Sequence, residues 1–189
     1  MEPPRTYEPR VTKRIRKGLV IVNTGNGKGK TTAALGVLMR AWGRGMNVAM
    51  LQFVKKKTGN WGESRAAVKM EVEVIPLGDG FTWTSKDIEL DKGLAQEGWA
   101  QCKEKLLAPE GEYDVVILDE ITYPLNYNWL SLEEVLETLE QRPPMRHVIL
   151  TGRDAPQPLI DYADLVTEMR LVKHPYDDQG IKAQAGIEF

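Results

Sequence analysis

A glycine- and lysine-rich run near the start of the chain has the residue types and spacing needed to bind a triphosphate. It reads Thr-Gly-Asn-Gly-Lys-Gly-Lys-Thr-Thr over residues 24–32. Its glycines leave room for consecutive backbone N–H groups to converge on phosphate oxygens, and a helix that begins at the loop adds its partial positive charge. Lys30 can bridge phosphate oxygens, and the Thr31 hydroxyl can ligate Mg²⁺. The run predicts nucleotide contacts from Gly25, Asn26, Gly27, Lys28, Gly29, Lys30, Thr31 and Thr32.

The segments on both sides of this run favour the same interpretation, although one residue departs from the usual pattern. An apolar stretch precedes the run at 18–22, and a helix-forming stretch follows it at 33–42, as a phosphate loop requires. Thr24 stands where the strict pattern has glycine. The alternative is a glycine- and lysine-rich surface loop, which would not need Gly-Lys-Thr-Thr at the start of the helix.

Two acidic residues end a later apolar run and are candidates for holding the metal ion. Asp119 and Glu120 directly follow a β-branched segment at 113–118. Ligands of parallel α/β sheets lie beyond the carboxyl ends of the strands, where the phosphate loop also emerges. A carboxylate at that edge helps to hold Mg²⁺, directly or through its waters. Thr31, Asp119 and Glu120 are therefore the predicted metal site, and the alternative is that one of the two acids only caps the following turn.

The order of apolar and helix-forming segments predicts one doubly wound α/β domain with a mostly parallel sheet. Strands are expected at 18–22, 47–53, 72–76, 113–120, 147–151 and 165–169. Helices are expected at 33–42, 86–107 and 157–162, with another that begins at the Ser131 capping box and ends before Pro143. A polar loop is expected at 54–65, and a glycine-rich loop at 77–85. Residues 1–17 are rich in Arg and Lys and are expected to form a flexible basic arm that precedes a domain at 18–189.

Composition narrows the classes of function. The formal net charge of −2 does not favour a nucleic-acid coat protein. The chain has a single cysteine, Cys102, in a polar helical stretch, so a disulfide within the chain is excluded and a reducing compartment is expected. No apolar stretch is long enough to span a membrane, and the first residues lack the apolar core of a secretion signal. These features predict a cytoplasmic protein without membrane or nucleic-acid partners.

The residues discussed so far predict a Mg²⁺-nucleotide-binding protein and leave its reaction open among kinase, hydrolase and transferase. In a P-loop ATPase or small-molecule kinase, Glu120 would polarise water or an acceptor hydroxyl. A nucleotide-gated nucleic-acid protein is a further alternative, which would use the basic arm and the three lysines at 55–57.

Further segments resemble one family, the P-loop type of ATP:corrinoid adenosyltransferase. The resemblance runs from about residue 18 to 189 and rests on the TGNGKGKTT loop, Gln52-Phe53, Gly62-Glu63, GFTW at 80–83, LDEITY at 118–123, Thr151-Gly152-Arg153 and the tail at 172–188. Thr24 is the residue that this family has at its position. The resemblance implies a P-loop NTPase (RecA-like) fold, with transfer of the 5′-deoxyadenosyl group of ATP to cobalt(I) of a corrinoid and release of triphosphate, in adenosylcobalamin biosynthesis or salvage.

The resemblance also implies roles for particular residues and partners. The Phe81 and Trp83 rings would approach the lower face of the corrin and exclude the lower axial ligand, which makes cobalt(II) easier to reduce; the alternative is that they anchor the loop in the core. Lys30, Phe81, Trp83 and Glu120 are the candidate catalytic residues. Glu63 and Arg153 are candidate ligand-binding residues on loops beyond strands. The implied partners are ATP, the corrinoid, an electron donor such as a reduced flavoprotein, and a second copy of the chain in a homodimer.

Overall fold

A six-stranded sheet forms the centre of the protein in a computed structural model that describes residues 14–56, 58–59, 61–78, 80 and 88–188. The strand order is β3-β2-β4-β5-β1-β6, and every neighbouring pair is parallel. This confirms the predicted parallel sheet. The strands are β1 (Val20–Thr24), β2 (Val48–Lys56), β3 (Glu73–Gly78), β4 (Val115–Asp119), β5 (His147–Thr151) and β6 (Leu165–Glu168).

Helices cover both faces of the sheet, as the doubly wound prediction requires. One face packs against α1, where Ala34 and Leu38 join a cluster that contains Met50 and Ile117. The other face packs against α3 and α5 through residues such as Trp99, Leu106 and Leu139. The helices are α1 (Lys30–Trp42), α2 (Gly62–Met70), α3 (Ile88–Leu107), α4 (Thr122–Asn126), α5 (Leu132–Gln141), α6 (Gln157–Tyr162) and α7 (Pro175–Gln179).

The two central strands are apolar because both of their faces are covered. All five residues of β4 are buried, and so are the first seven of β2. The carboxyl ends of β1, β2, β4 and β5 meet at one edge of the sheet, where the candidate site residues lie. The parallel register thus carries Gln52, Asp119 and Thr151 to the same edge as the glycine-rich run.

One predicted loop is wrong. The segment 54–65 was expected to be a polar loop, but β2 continues to Lys56 and α2 begins at Gly62. Two tertiary contacts account for the difference: Lys55 is paired with Glu63, and its ammonium lies 4.2 Å from the centroid of the Trp61 ring. A strand that ends in lysines is stable here because α2 supplies a counter-ion and an aromatic surface.

Local signals identified other elements correctly. Strand β5 and helix α6 have the predicted bounds, and the Ser131 hydroxyl caps α5 by accepting a hydrogen bond from the Glu134 N–H (3.2 Å). Helices α4 and α7, of five residues each, were not predicted. Cys102 was placed in a polar helical stretch, but it is fully buried in the core, and burial raises its pKa. Within the described residues, no helix is long and apolar enough to cross a membrane.

Candidate functional site

The glycine-rich run forms a turn between the end of β1 and the start of α1. Gly25 and Gly29 have positive φ angles of 92° and 112°, which glycine adopts without strain. The first intrahelical hydrogen bond of α1 runs from the Ala33 N–H to the Gly29 carbonyl (2.8 Å). The N–H groups of residues 30–32 therefore have no acceptor within the helix. These N–H groups are free of intrahelical acceptors at the helix start, which is the local geometry that favours an anion.

Lys30 spans this turn from within the protein. Its Nζ atom donates to the carbonyl oxygens of Gly25 (2.7 Å) and Gly27 (2.8 Å), and the residue is 7% exposed. Burial lowers the Lys30 pKa, while the negative charge of Glu120 acts in the opposite direction. The ammonium is thereby held in the centre of the loop, against the carbonyls of Gly25 and Gly27.

The loop rests on the chain that follows β6. The Gly27 N–H donates to the Met169 carbonyl (2.6 Å), and a Cβ at Gly27 would lie 2.7 Å from that oxygen. A side chain cannot fit at this close approach of two backbones. The Gly27 N–H is thus engaged within the protein, whereas the sequence led us to expect that it donates to phosphate. Lys28, at the outer side of the loop, is paired with Glu188 near the end of the chain (2.7 Å).

The Asp119 carboxylate is the centre of a buried hydrogen-bond cluster. Its Oδ1 atom accepts hydrogen bonds from the hydroxyls of Thr31 (2.9 Å) and Thr151 (2.7 Å). Its Oδ2 atom accepts from Nε2 of Gln52 (3.1 Å). Burial raises the Asp119 pKa, and these three hydrogen bonds oppose the rise. The structure thus brings together Thr31 and Asp119, two of the three predicted metal ligands.

The third predicted metal ligand, Glu120, occupies a constrained position next to Asp119. Its φ angle is 60°, which is uncommon for a residue other than glycine, and its N–H donates to the Thr151 hydroxyl (2.9 Å). Its Oε2 atom is buried and has no hydrogen-bond partner among the described residues. Burial and then the charge of Asp119 raise the Glu120 pKa to about 7, against the effect of Lys30. Glu120 therefore presents, at the edge of the sheet, a carboxyl oxygen that accepts no hydrogen bond from the described residues.

Arg153 follows β5 on the same edge of the sheet. Its side chain is exposed, and its carbonyl accepts a hydrogen bond from the Asn126 amide (3.3 Å). The Arg153 charge is among the causes that lower the Lys30 pKa, after burial. The guanidinium is thus close enough to the loop to act on the charge of a ligand there.

Glu63 is engaged with a neighbouring lysine. Its carboxylate is paired with Lys55 at the end of β2. Burial would raise the Glu63 pKa, but the hydrogen bond from Lys55, a backbone hydrogen bond and the charge of Lys55 together outweigh it, so the pKa lies below its usual value. Both groups belong to the same edge of the sheet as the loop. A ligand contact from Glu63 would therefore have to share the carboxylate with Lys55.

Other sequence expectations concern residues elsewhere in the chain. Phe81 and Trp83 lie outside the described residues, as do the first thirteen residues of the basic arm. Residues 14–17 are exposed, and Lys17 is paired with Asp164. The cluster also contains residues that the sequence reasoning did not assign to the site: Gln52, Lys55 and Thr151. One feature of the sequence could have identified these three residues. Each is a polar residue at the end of, or within, an otherwise apolar strand.

Comparisons with known proteins place the chain in a family. A family model described as ATP:corrinoid adenosyltransferase BtuR/CobO/CobP matches residues 16–189. A corrinoid adenosyltransferase from a Sinorhizobium species is 45% identical over 182 residues, which cover 94% of this chain and 83% of that protein. The corrinoid adenosyltransferase of Escherichia coli K12 is 43% identical over 175 residues, covering 92% and 86% of the two chains.

A solved structure shares the fold at low sequence identity. The flagellar accessory protein FlaH from Methanocaldococcus jannaschii is 12% identical, with a TM-score of 0.52 over 82% of this chain and 72% of that one. At this identity the likeness bears on the fold alone. The fold is the P-loop NTPase (RecA-like) fold expected from the sequence.

Proposed function

The chain belongs to the ATP:corrinoid adenosyltransferase family BtuR/CobO/CobP, and from this we propose that it transfers the 5′-deoxyadenosyl group of ATP to the cobalt of a corrinoid. The cobalt(I) electron pair attacks C5′ of the ribose and forms the cobalt–carbon bond. The C5′–O bond breaks, and its electron pair leaves with the triphosphate. No protein base is needed to activate the nucleophile, because the cofactor supplies it. The observation that carries the proposal is the family match over residues 16–189, and the buried Lys30 ammonium beside the Thr31–Asp119 pair supports binding of the triphosphate.

The protein's main task in this reaction is to stabilise the departing triphosphate. Negative charge grows on the 5′ oxygen as the bond breaks, and fixed donors stabilise it most where water is excluded. Lys30 supplies a positive charge, and the N–H groups of residues 30–32 supply donors without intrahelical acceptors. Arg153 adds a positive charge nearby. The loop that holds a transferring phosphoryl group in kinases would here hold the leaving group.

The residues at the loop fit a nucleotide-bound Mg²⁺ ion. No group of three or more His, Cys, Asp and Glu residues forms a metal site in the described part of the chain. Mg²⁺ at nucleotide sites needs few protein ligands, because phosphates and water complete its shell. We propose that Thr31, Asp119 and Glu120 hold it, supported by the unpartnered Oε2 atom of Glu120. When bound, Mg²⁺ would neutralise charge on the triphosphate.

The proposed reaction is tested by its products. The protein is incubated with ATP, Mg²⁺ and a chemically reduced corrinoid, and we expect a light-sensitive cobalt–carbon bond and one triphosphate per corrinoid. Lys30→Ala should abolish the product, whereas Lys69→Ala, an exposed lysine in α2, should leave it unchanged. Release of ADP and phosphate without a cobalt–carbon bond would instead identify an ATPase or kinase.

We further propose that Phe81 and Trp83 exclude the lower axial ligand of the corrinoid. A donor below cobalt raises the energy of the orbital that must accept an electron, so apolar rings in its place ease reduction to cobalt(I). The double change of both residues to Ala should impair turnover from cobalt(II) and a mild reductant, while ATP binding stays intact. Unchanged cobalt(II) turnover would leave loop anchoring as their role.

We also propose the finer features of the cellular setting. These are a cytoplasmic location, a homodimer, a reduced flavoprotein as electron donor, and no nucleic-acid partner. The single cysteine of the chain supports the cytoplasmic location, and the net charge of −2 supports the lack of a nucleic-acid partner. Light scattering measures the oligomeric state. The electron donor is tested by starting from a cobalt(II) corrinoid and asking whether a reduced flavoprotein supports turnover in place of the chemical reductant.

A further inference from the structure

Gln52 is a buried amide next to the Asp119 carboxylate. It is 0% exposed and lies directly across from Asp119 in the register of β2 and β4. Its Nε2 atom donates to Oδ2 of Asp119 (3.1 Å). The amide NH₂ group thus faces the Asp119 carboxylate.

Charge fixes the orientation of this amide. An NH₂ group has two donors, whereas the carbonyl oxygen of the amide can only accept. The reversed orientation would direct that oxygen at an acceptor oxygen of Asp119, so this acid selects the orientation in which the NH₂ group donates to it. The Gln52 Oε1 atom is left buried with no hydrogen-bond partner among the described residues, which costs about 1–3 kcal/mol.

Hydrogen bonds to Asp119 connect Gln52 to the phosphate loop. Thr31 donates to Oδ1 of Asp119, and Gln52 donates to Oδ2. The positive charge of Lys55 also opposes the burial-driven rise of the Asp119 pKa. The start of α1 and strand β2 are therefore connected through one buried carboxylate.

We infer that Gln52 is a positioning residue, which holds the Asp119 carboxylate in the orientation needed for Mg²⁺. The inference rests on the proposed role of Asp119 as a metal ligand. Thr31 and Thr151 both donate to Oδ1, so Gln52 is the donor that orients Oδ2. Loss of an outer hydrogen-bond partner of a metal ligand typically lowers metal affinity by about 10–100-fold.

The test measures Mg²⁺ affinity directly, by calorimetric titration of the intact protein saturated with ATP. Gln52→Met keeps the approximate size of the side chain and removes its donors. We expect Mg²⁺ binding to weaken by about 10–100-fold, while saturating Mg²⁺ restores most of kcat. Gln52→Asn is a second variant; it keeps a buried amide but is one methylene too short, and should show the same direction of change.

A double-mutant cycle separates positioning from general damage to the fold. In an Asp119→Asn background the Gln52→Met change should alter Mg²⁺ affinity by less than about threefold, because Gln52 acts through Asp119. Thr138→Val is the matched control; it removes a buried hydroxyl that donates to the Glu134 carbonyl in α5 (2.8 Å), and Mg²⁺ affinity should stay unchanged.

Three results would overturn the inference. Wild-type Mg²⁺ affinity in Gln52→Met would overturn it alone, as would an undiminished effect in the Asp119→Asn background. Absence of Mg²⁺-dependent ATP binding in the wild type would overturn the proposed metal site and this inference together.

Discussion

Lys28 and Glu188 form an ion pair of 2.7 Å across 160 residues of sequence. Lys28 belongs to the phosphate loop, and Glu188 lies near the end of the chain. The two side chains are 49% and 25% exposed. The pair therefore places a negative charge beside a loop whose proposed ligand is a polyanion.

Glu188→Gln should tighten the binding of inorganic triphosphate. The change removes the negative charge and frees Lys28 to contact the ligand. Exposed ion pairs are worth at most about 1 kcal/mol, so we expect up to about fivefold tighter binding, diminishing as salt is added. Calorimetric titration with triphosphate measures the effect. Asp161→Asn, which removes an exposed acid on α6, is the control; equal or weaker binding in Glu188→Gln would refute the prediction.

The raised pKa of Glu120 should make the ligand-free protein less stable as pH rises. Burial and the charge of Asp119 raise this pKa from 4.5 to about 7. Between those values the folded state binds more protons than the unfolded state, so the stabilising contribution is complete below pH 4.5 and lost as pH passes about 7. The free energy of unfolding should fall by at most about 3 kcal/mol through this effect.

Glu120→Gln should lose less stability than the wild type as pH rises, and should be the more stable of the two at pH 8. The comparison uses urea unfolding of both proteins from pH 5 to 8, with a chelator present. The stability of the variant should still fall somewhat with pH, because burial also raises the Asp119 pKa. A wild type whose stability rises through this range would contradict the assignment.

Local sequence signals predicted the elements that local interactions stabilise. Ser131 caps α5 through a hydrogen bond to a residue three positions away, and the flanking prolines end that helix. The phosphate loop has the same local character, since Lys30 bonds carbonyls only three and five residues earlier. Such features depend on neighbours in the sequence, so spacing alone identifies them.

Features that depend on distant partners could not be predicted. Helix α2 depends on the pairing of Lys55 with Glu63, which turns an apparent polar loop into a strand and a helix. The contact between Gln52 and Asp119 depends on the register of β2 against β4, 67 residues apart in sequence. Sequence spacing places both residues at strand ends but does not specify which strands are neighbours.

Gly152→Ala should damage the site. Gly152 has a φ of 141°, and a Cβ there would lie 2.0 Å from the Thr122 hydroxyl oxygen. Because Thr151 and Arg153 flank this residue, the clash should displace both; we expect at least about 2 kcal/mol of lost stability and weaker ATP binding.

Gly36→Ala in α1 is the matched control, since its Cβ would meet nothing within 4 Å. The control should stabilise the protein by about 0.5–1 kcal/mol in urea unfolding. If Gly152→Ala and Gly36→Ala changed the free energy of unfolding by similar amounts, the prediction would be contradicted.

Arg146→Met should destabilise the fold without touching the site. The Arg146 side chain is 1% exposed. Its nitrogens donate to carbonyls in the last turn of α3, just after that helix, and shortly before β4. These carbonyls belong to Lys105, Leu106, Ala108, Pro109 and Tyr113, at 2.7–3.0 Å. Burial lowers the Arg146 pKa, and the nearby acids Glu112 and Asp114 oppose this.

The loss in Arg146→Met should be about 3 kcal/mol or more, because several buried carbonyls lose their donors at once. Arg146→Lys keeps a charge but has only three donors without the planar fork, so its stability should lie between those of the wild type and Arg146→Met. Urea unfolding at pH 7 measures both, and Arg40→Met, at an exposed position of α1, should shift stability by less than about 0.5 kcal/mol. If Arg146→Met were as stable as Arg40→Met, the guanidinium would not hold the end of α3 to β4.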